Sequence, residues 1–333
     1  MQKSNSRNSE FHAALAQVAS ERNLDISVIL DAIKQSILAA LKKDHPEAIN
    51  EELEYDVELN GMSGEAHVFE IVKGKRKDIT PPGFGRIAAQ TAKQVILQKI
   101  REAEKGAVIA EYEKKLGTLV NGLVLRFISG EVIVDLGKVE AVVPSSEQVQ
   151  NDSYHINQRL VFYVDSIRES ARGKEIVISR SNPNLVKELF RREVPEVASG
   201  AVETKAIARD GGIRTKIAVY STQSGVDPVG SCVGQKGVRV QAVINDLNNE
   251  KIDVIQFSED KEKFVASALA PASGLQVKYD ADKKTAVVLA PADQLSLAIG
   301  RDGQNARLAG KLTECHIDIK PLEAPVVEIA NEK

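Results

Sequence analysis

Val233-Gly234-Gln235-Lys236-Gly237-Val238-Arg239-Val240 returns later in the chain as Ile299-Gly300-Arg301-Asp302-Gly303-Gln304-Asn305-Ala306. Each copy is a Gly-x-x-Gly turn with apolar residues before it and an amphipathic run after it. Asp227-Pro228 precedes the first turn and reads as a helix start, with an N-cap acceptor followed by proline at the first helical position. Asp293 stands at the same offset before the second. Both copies end in a strand-like run, Lys251 to Ile255 and His316 to Ile319. The pattern is one helix–turn–helix–strand unit, used twice.

Glycine lacks Cβ, so a second backbone can approach it closely, and it accepts positive φ. Where such a turn opens a helix, free N–H groups and the helix dipole favour a phosphate. A cation inside the turn, Lys236 in one copy and Arg301 in the other, adds attraction. This is the KH arrangement, whose GXXG loop clamps about four backbone nucleotides of a single strand. A lone Gly-x-x-Gly is an ordinary turn; two with matching flanks are not. Asp302 brings an acid into the second loop, which weakens its expected phosphate contact.

A chain of 333 residues is too long for one small core and is expected to form at least two domains. With 43% hydrophobic and 27% charged residues, it has the composition of a soluble globular protein. No apolar run approaches the roughly 20 residues of a membrane span, and the polar start Met1 to Asn8 lacks the apolar core of a secretory signal. Cys232 and Cys315 form no CxxC pair; a reducing, cytoplasmic setting fits, and neither a metal nor a cofactor is expected. A net charge of −3 excludes a polycation that coats nucleic acid indiscriminately, so RNA binding must come from local basic surfaces. Aromatic residues make up only 4%, so stacking platforms are sparse.

Phe11, Leu15 and Val18 have helical spacing. Asp25 is placed to cap a longer helix with Ile29, Ile33, Ile37 and Leu41 at i+4 steps, ended by Asp44-His45-Pro46. Leu53, Tyr55, Val57 and Leu59 alternate as a half-buried strand; a turn at Asn60 to Gly64 leads to a second strand at Ala66 to Val72. Lys73-Gly74-Lys75-Arg76-Lys77 reads as a solvated basic loop. Gly83-Phe84-Gly85-Arg86-Ile87-Ala88 matches a dinucleotide fingerprint, but no βαβ unit surrounds it. A long helix is expected from about Arg86 to Lys115.

From Leu119 to Arg180 five short β-rich runs alternate with glycine or polar turns, which predicts a small closed barrel of the OB type. Gly122-x-Val124, Gly130-x-Val132-x-Val134 and Val143-Pro144-Ser145-Ser146-Glu147 resemble the ribosomal S-one RNA-binding domain. Val132 stands where such domains usually carry an aromatic; Phe127, Phe162, Tyr163 and His155 are the alternatives. After Asn182-Pro183, a helix to Pro195 and strands at Glu203 to Arg209 and Thr215 to Tyr220 precede the first loop unit. Leu275 to Tyr279 and Thr285 to Leu289 precede the second. The order matches the bacterial (type II) KH domain.

The order helical N-terminal domain, barrel, KH, KH is similar to that of the NusA family of bacterial transcription elongation and termination factors. The resemblance is carried by Gly85 to Gln94, Glu188 to Val197, Asp227 to Gly234 and Ala298 to Ala309. It implies an α+β multidomain fold: residues 1–116 binding RNA polymerase, an S-one-like barrel at 117–184, KH domains at 185–275 and 276–320, and a flexible tail at 321–333. It further implies that barrel and KH domains receive single-stranded nascent RNA, modulating pausing, termination and antitermination alongside other elongation and antitermination factors. A cytoplasmic monomer without membrane contact is expected. Some members of the family carry further acidic repeats after the second KH domain.

The expected RNA contacts are Gly234, Gln235, Lys236 and Gly237 in one loop, Gly300, Arg301, Asp302 and Gly303 in the other, and Arg239, Gln304, Asn305 and Arg307 just inside the following helices. In the barrel the candidates are Arg126, Lys138, Arg172 and Arg180. The competing readings are an RNA-processing or degradation enzyme and a ribosome assembly factor. No Walker loop, HExxH, GxSxG or carboxylate–metal cluster supports an enzyme.

Overall fold

Ile29, Ile33, Ile37 and Leu41 recur every four residues, and this spacing lays one apolar stripe along helix α1 (Ile26–Asp44). All four are buried, against Val57, Ala66, Val68 and the Phe84, Ala88 and Ala92 face of a later helix. The computed structural model describes residues 19, 26–46, 49, 53–59, 66–72, 74–170 and 173–322. Phe11, Leu15, Val18, the Asp25 cap, the Asn60 to Gly64 turn and residues 323–333 of the tail lie outside them. The chain forms two compact units, Met1–Glu111 and Tyr112–Lys333.

In the first unit β1 (Glu54–Leu59), β2 (Ala66–Val72) and β3 (Lys75–Asp78) form one antiparallel sheet in that order. The basic run is therefore not a loop: Lys75, Arg76 and Lys77 belong to an exposed edge strand. Arg76 pairs with Asp56 and lies 4.8 Å over the Phe69 ring. Charged side chains on an edge strand discourage pairing with another chain. Helix α2 (Phe84–Glu113) follows, opened by the glycine pair that mimics a dinucleotide fingerprint.

The second unit begins with β4 (Leu119–Ile128), β5 (Glu131–Asp135), β6 (Glu140–Val143), β7 (Arg159–Ser170) and β8 (Gly173–Ser179). They close into a barrel in the order β4-β5-β6-β8-β7. Alternation fills it: Val124, Val132, Val134, Phe162, Val164, Ile176 and Ile178 are buried. Val132 thus belongs to the barrel core. Phe162 does too, whereas Tyr163, Leu119 and Val161 face outward and pack on the next module.

That module comprises α3 (Pro183–Glu193), the short α4 (Pro195–Ala198), β9 (Val202–Asp210), β10 (Arg214–Ser221), α5 (Pro228–Val233), α6 (Val238–Asp246) and β11 (Lys251–Gln256). Then follow α7 (Lys261–Ala268), β12 (Gln276–Asp280), β13 (Thr285–Ala290), α8 (Leu295–Ile299), α9 (Gln304–Thr313) and β14 (His316–Pro321). Both sheets have the same topology, with an antiparallel pair first and a parallel pair second. Helix α7 packs with the second module, which moves the boundary expected between residues 275 and 276 to about residue 260. Asp260 caps it, accepting from the Glu262 and Lys263 amides, and Phe264, Val265, Ala268 and Leu269 bury one face beside Ala286, Val288 and Leu308.

The period-2 geometry of β10 sets the two KH modules together. Ile217 and Val219 point into the core formed with α3, α5 and α6, while Ala218 points to the opposite face, covered by Phe264, Leu308 and Leu312. The first sheet is therefore buried on both sides. At its rim the Asp210 carboxylate accepts from Gln304 Nε2 (3.1 Å) and Arg307 (2.9 Å) of the second module.

Three buried cations tie the unit together. Arg180, 1% exposed, pairs with Asp152 at 2.7 Å and donates to the carbonyls of Val161 and Asp246, joining barrel to KH module. Arg209 meets Glu250, whose carboxylate also accepts from the Gly212 amide and Thr215 hydroxyl. Lys216 donates to Asp253 and to the Ala270 carbonyl. Burial pushes the Lys216 ammonium below its ordinary value, against the pull of Asp253. Burial alone would raise Asp253, but hydrogen bonds and charge from Arg214 and Lys216 outweigh it and hold the carboxyl below 3.8. A depressed carboxylate stabilises the fold above its unfolded pKa, and that contribution is lost as pH falls through the folded value. Urea midpoints measured from pH 5 down to pH 2.5 should therefore fall less steeply for Asp253→Asn than for the parent. Parallel curves would refute the assignment.

Candidate nucleic-acid interface

The two glycine loops are the same backbone object. Gly234 and Gly300 have φ/ψ of 74/173 and 75/172; the third residues, Lys236 and Asp302, have 52/23 and 50/29; Gly237 and Gly303 have 78/13 and 70/11. In each, the second glycine's N–H closes the turn on the first glycine's carbonyl. The middle residues are exposed, Arg301 and Asp302 by 95% and 91%. Asp302 now has a physical reason: the third position is left-handed, a conformation aspartate tolerates better than most residues. Lys236 adopts it too and has no ion-pair partner among the described residues. Among the described residues, Arg301 has only its neighbour Asp302 as an ion-pair partner, at 3.8 Å.

The glycines of each loop differ in what they do. A Cβ on Gly300 would lie 2.9 Å from the backbone nitrogen of Asn305, so this glycine lets the loop fold onto the next helix. A Cβ on Gly303 would meet nothing within 4 Å, which leaves open space where a ligand backbone can approach. Gly303→Ala should cost about 1–2 kcal/mol, the left-handed penalty alone, and Gly300→Ala distinctly more. Urea unfolding of the two variants tests this; equal losses would contradict the division of roles.

Upstream, Asp227 caps α5 by accepting from the Val229 amide. Asp293 does not repeat this: α8 starts after Gln294, without a side-chain cap, and the Asp293 carboxylate accepts from the side-chain Nε2 of Gln294 instead.

Just inside the helices the expected contacts need correction. Asn305 is 1% exposed, and its Nδ2 donates to the carbonyls of Leu269, Leu297 and Ala298. Arg239, at the matching position of the first copy, donates to the Ser231 carbonyl and pairs with Glu196. Both side chains turn back onto the end of the preceding helix, whose last carbonyls lack partners. They hold the loop's shape and do not reach outward. Gln304 and Arg307 flank the second loop but are engaged by Asp210.

In the barrel Arg180 is also corrected: it is a buried interface ion and not a surface contact. Arg126 forms a two-pronged pair with Glu140, which holds the carboxyl below its ordinary range. Lys138 is exposed in the turn between β5 and β6. Arg172 lies outside the described residues. Of the aromatic alternatives, Phe127, 51% exposed, and His155 face solvent.

The fold and the paired loops define a nucleic-acid-binding protein of the tandem KH class, preceded by an OB-type barrel. Family comparisons agree. A NusA N-terminal domain model matches residues 10–79 and 73–106, a NusA-like first KH domain 180–257, and a NusA-like second KH domain 261–325. The transcription termination/antitermination protein NusA of Halalkalibacterium halodurans is 42% identical over 341 residues, covering 94% of this chain and 88% of the relative. The protein of the same name from Bacillus subtilis is 40% identical over 340 residues, with 94% and 91% covered. That of Thermus thermophilus is 36% identical over 351 residues, with 95% and 91% covered. The chain belongs to the NusA family: it is an RNA-binding transcription factor, not an enzyme. Among the described residues no helix is long and apolar enough to cross a membrane.

Proposed function

We propose that residues 1–116 dock on RNA polymerase while the barrel, residues 117–184, and the two KH modules hold nascent single-stranded RNA, and that the chain thereby modulates pausing, termination and antitermination. The first KH module runs from 185 to about 260 and the second from 261. The reading rests on one observation: two exposed GXXG loops of the same geometry on modules that share a core. A rigid pair binds a continuous strand without an ordering cost between its halves. Gly234, Gln235, Lys236 and Gly237, with Gly300, Arg301, Asp302 and Gly303, present backbone and cation to phosphate. Arg126, Lys138, Phe127 and His155 extend the surface on the barrel. The chain acts as a cytoplasmic monomer with other elongation and antitermination factors. The readings as processing enzyme or ribosome assembly factor are set aside by family membership.

The immobilised full chain should retain RNA polymerase from a bacterial lysate and change pause lifetimes in a purified transcription reaction. Retention of ribosomal subunits without polymerase, or unaltered pausing, would overturn the reading.

A further inference from the structure

A cleft of about 430 Å³ opens where the barrel meets the first KH module. One wall is the outer face of β4 and the start of β7, with Asn121, Arg159 and Gln158 of the preceding turn; the other is the end of α6 and the following turn, with Asn245, Asp246 and Asn248. The apolar part of the same barrel face, Leu119, Val161 and Tyr163, is sealed against the KH core. Only the amide-rich end stays open. Its walls are fixed, because Arg180 bonds Val161 on one side and Asp246 on the other, and Asn248 Nδ2 holds Asp152.

The lining side chains retain unused hydrogen-bonding groups. Asn121 and Arg159 have no partner among the described residues. Gln158 uses its oxygen for the His155 amide, and Asn245 its oxygen for Gln241, so the NH₂ group of each is unengaged. An amide carries a donor pair beside an acceptor, the complement of a base edge; Asn and Gln match adenine and Arg matches guanine. A phosphate is a poor fit, since Asp246 and the negative end of α6 lie here. The cleft falls within the range of small-ligand pockets.

We propose that this cleft receives a purine base of the RNA strand held by the first glycine loop. The inference rests on the RNA-binding reading above. Helix α6 links the two places: it starts at the loop and ends at the cleft, nine residues away, on the order of 13 Å at about 1.5 Å per residue. Asn121 and Asn245 read the base edge, and the Arg159 guanidinium plane stacks on the ring.

The test is the double variant Asn121→Ala/Asn245→Ala of the full chain, titrated with the oligoribonucleotides rA12 and rU12. Neither change alters charge, so the counterion contribution to affinity is preserved. Both residues are exposed, so thermal unfolding should match the parent. Affinity for rA12 should fall roughly five- to a hundredfold, with rU12 changed less than about twofold. Unchanged binding of rA12, or an equal loss on both strands, would overturn the cleft assignment while leaving RNA binding intact. A parent that binds neither strand would overturn both readings.

Discussion

Arg180→Met should lower the unfolding free energy of the Tyr112–Lys333 unit by about 3–5 kcal/mol, the usual consequence of removing one partner of a buried ion pair. The substitution leaves Asp152 charged and enclosed, with only the Asn248 side-chain amide, among the described residues, still donating to its carboxylate. It also strips the Val161 and Asp246 carbonyls of their donor. The pair itself is not intrinsically stabilising, since desolvating two ions offsets much of their attraction. Removing both charges, as in Arg180→Met/Asp152→Leu, should therefore recover a large part of the loss. Urea unfolding of the two variants forms the measurement. A single variant within about 1 kcal/mol of the parent would show that Arg180 does not clamp barrel to KH module.

The charge-reversed protein Lys236→Asp/Arg301→Asp should bind single-stranded RNA at least about tenfold more weakly at 0.15 M salt, with its stability almost unchanged. Both side chains are exposed and hold no other part of the fold in place. Aspartate already occupies the left-handed third position in the second loop, so Lys236→Asp adds no backbone strain. Each phosphate contact on a single strand contributes about 0.7 to the slope of log affinity against log salt. Losing two should flatten the slope by about 1.4. A filter-binding series at several salt concentrations reads both effects. An unchanged affinity would remove the loops from the RNA path.

These two arginines, Arg180 and Arg301, had the same standing as sequence. Each is a cation near a turn in a module of nucleic-acid-binding type. One is buried between two modules and the other projects into solvent. Asn305 and Gln304 are adjacent, yet one is enclosed under the loop and the other reaches Asp210, 94 positions away. Nothing local separates them. The α7 helix, by contrast, is legible locally: an aspartate cap followed by Phe264, Val265, Ala268 and Leu269 at helical spacing is a sequence signal.

What the amino-acid order determined by itself is the local geometry. Period-2 and i+4 apolar spacing marked the barrel strands and α1, and paired glycines forced the two loops, because these depend on the sterics and solvation of residues within a few positions of one another. Which charged side chains point outward was decided only by tertiary structure. Asp152, Asp246, Asp210 and Glu196 reach their partners Arg180, Arg192, Arg307 and Arg239 across 28 to 97 positions of chain, and a charge drawn out of water goes wherever a packed neighbour offers it a partner.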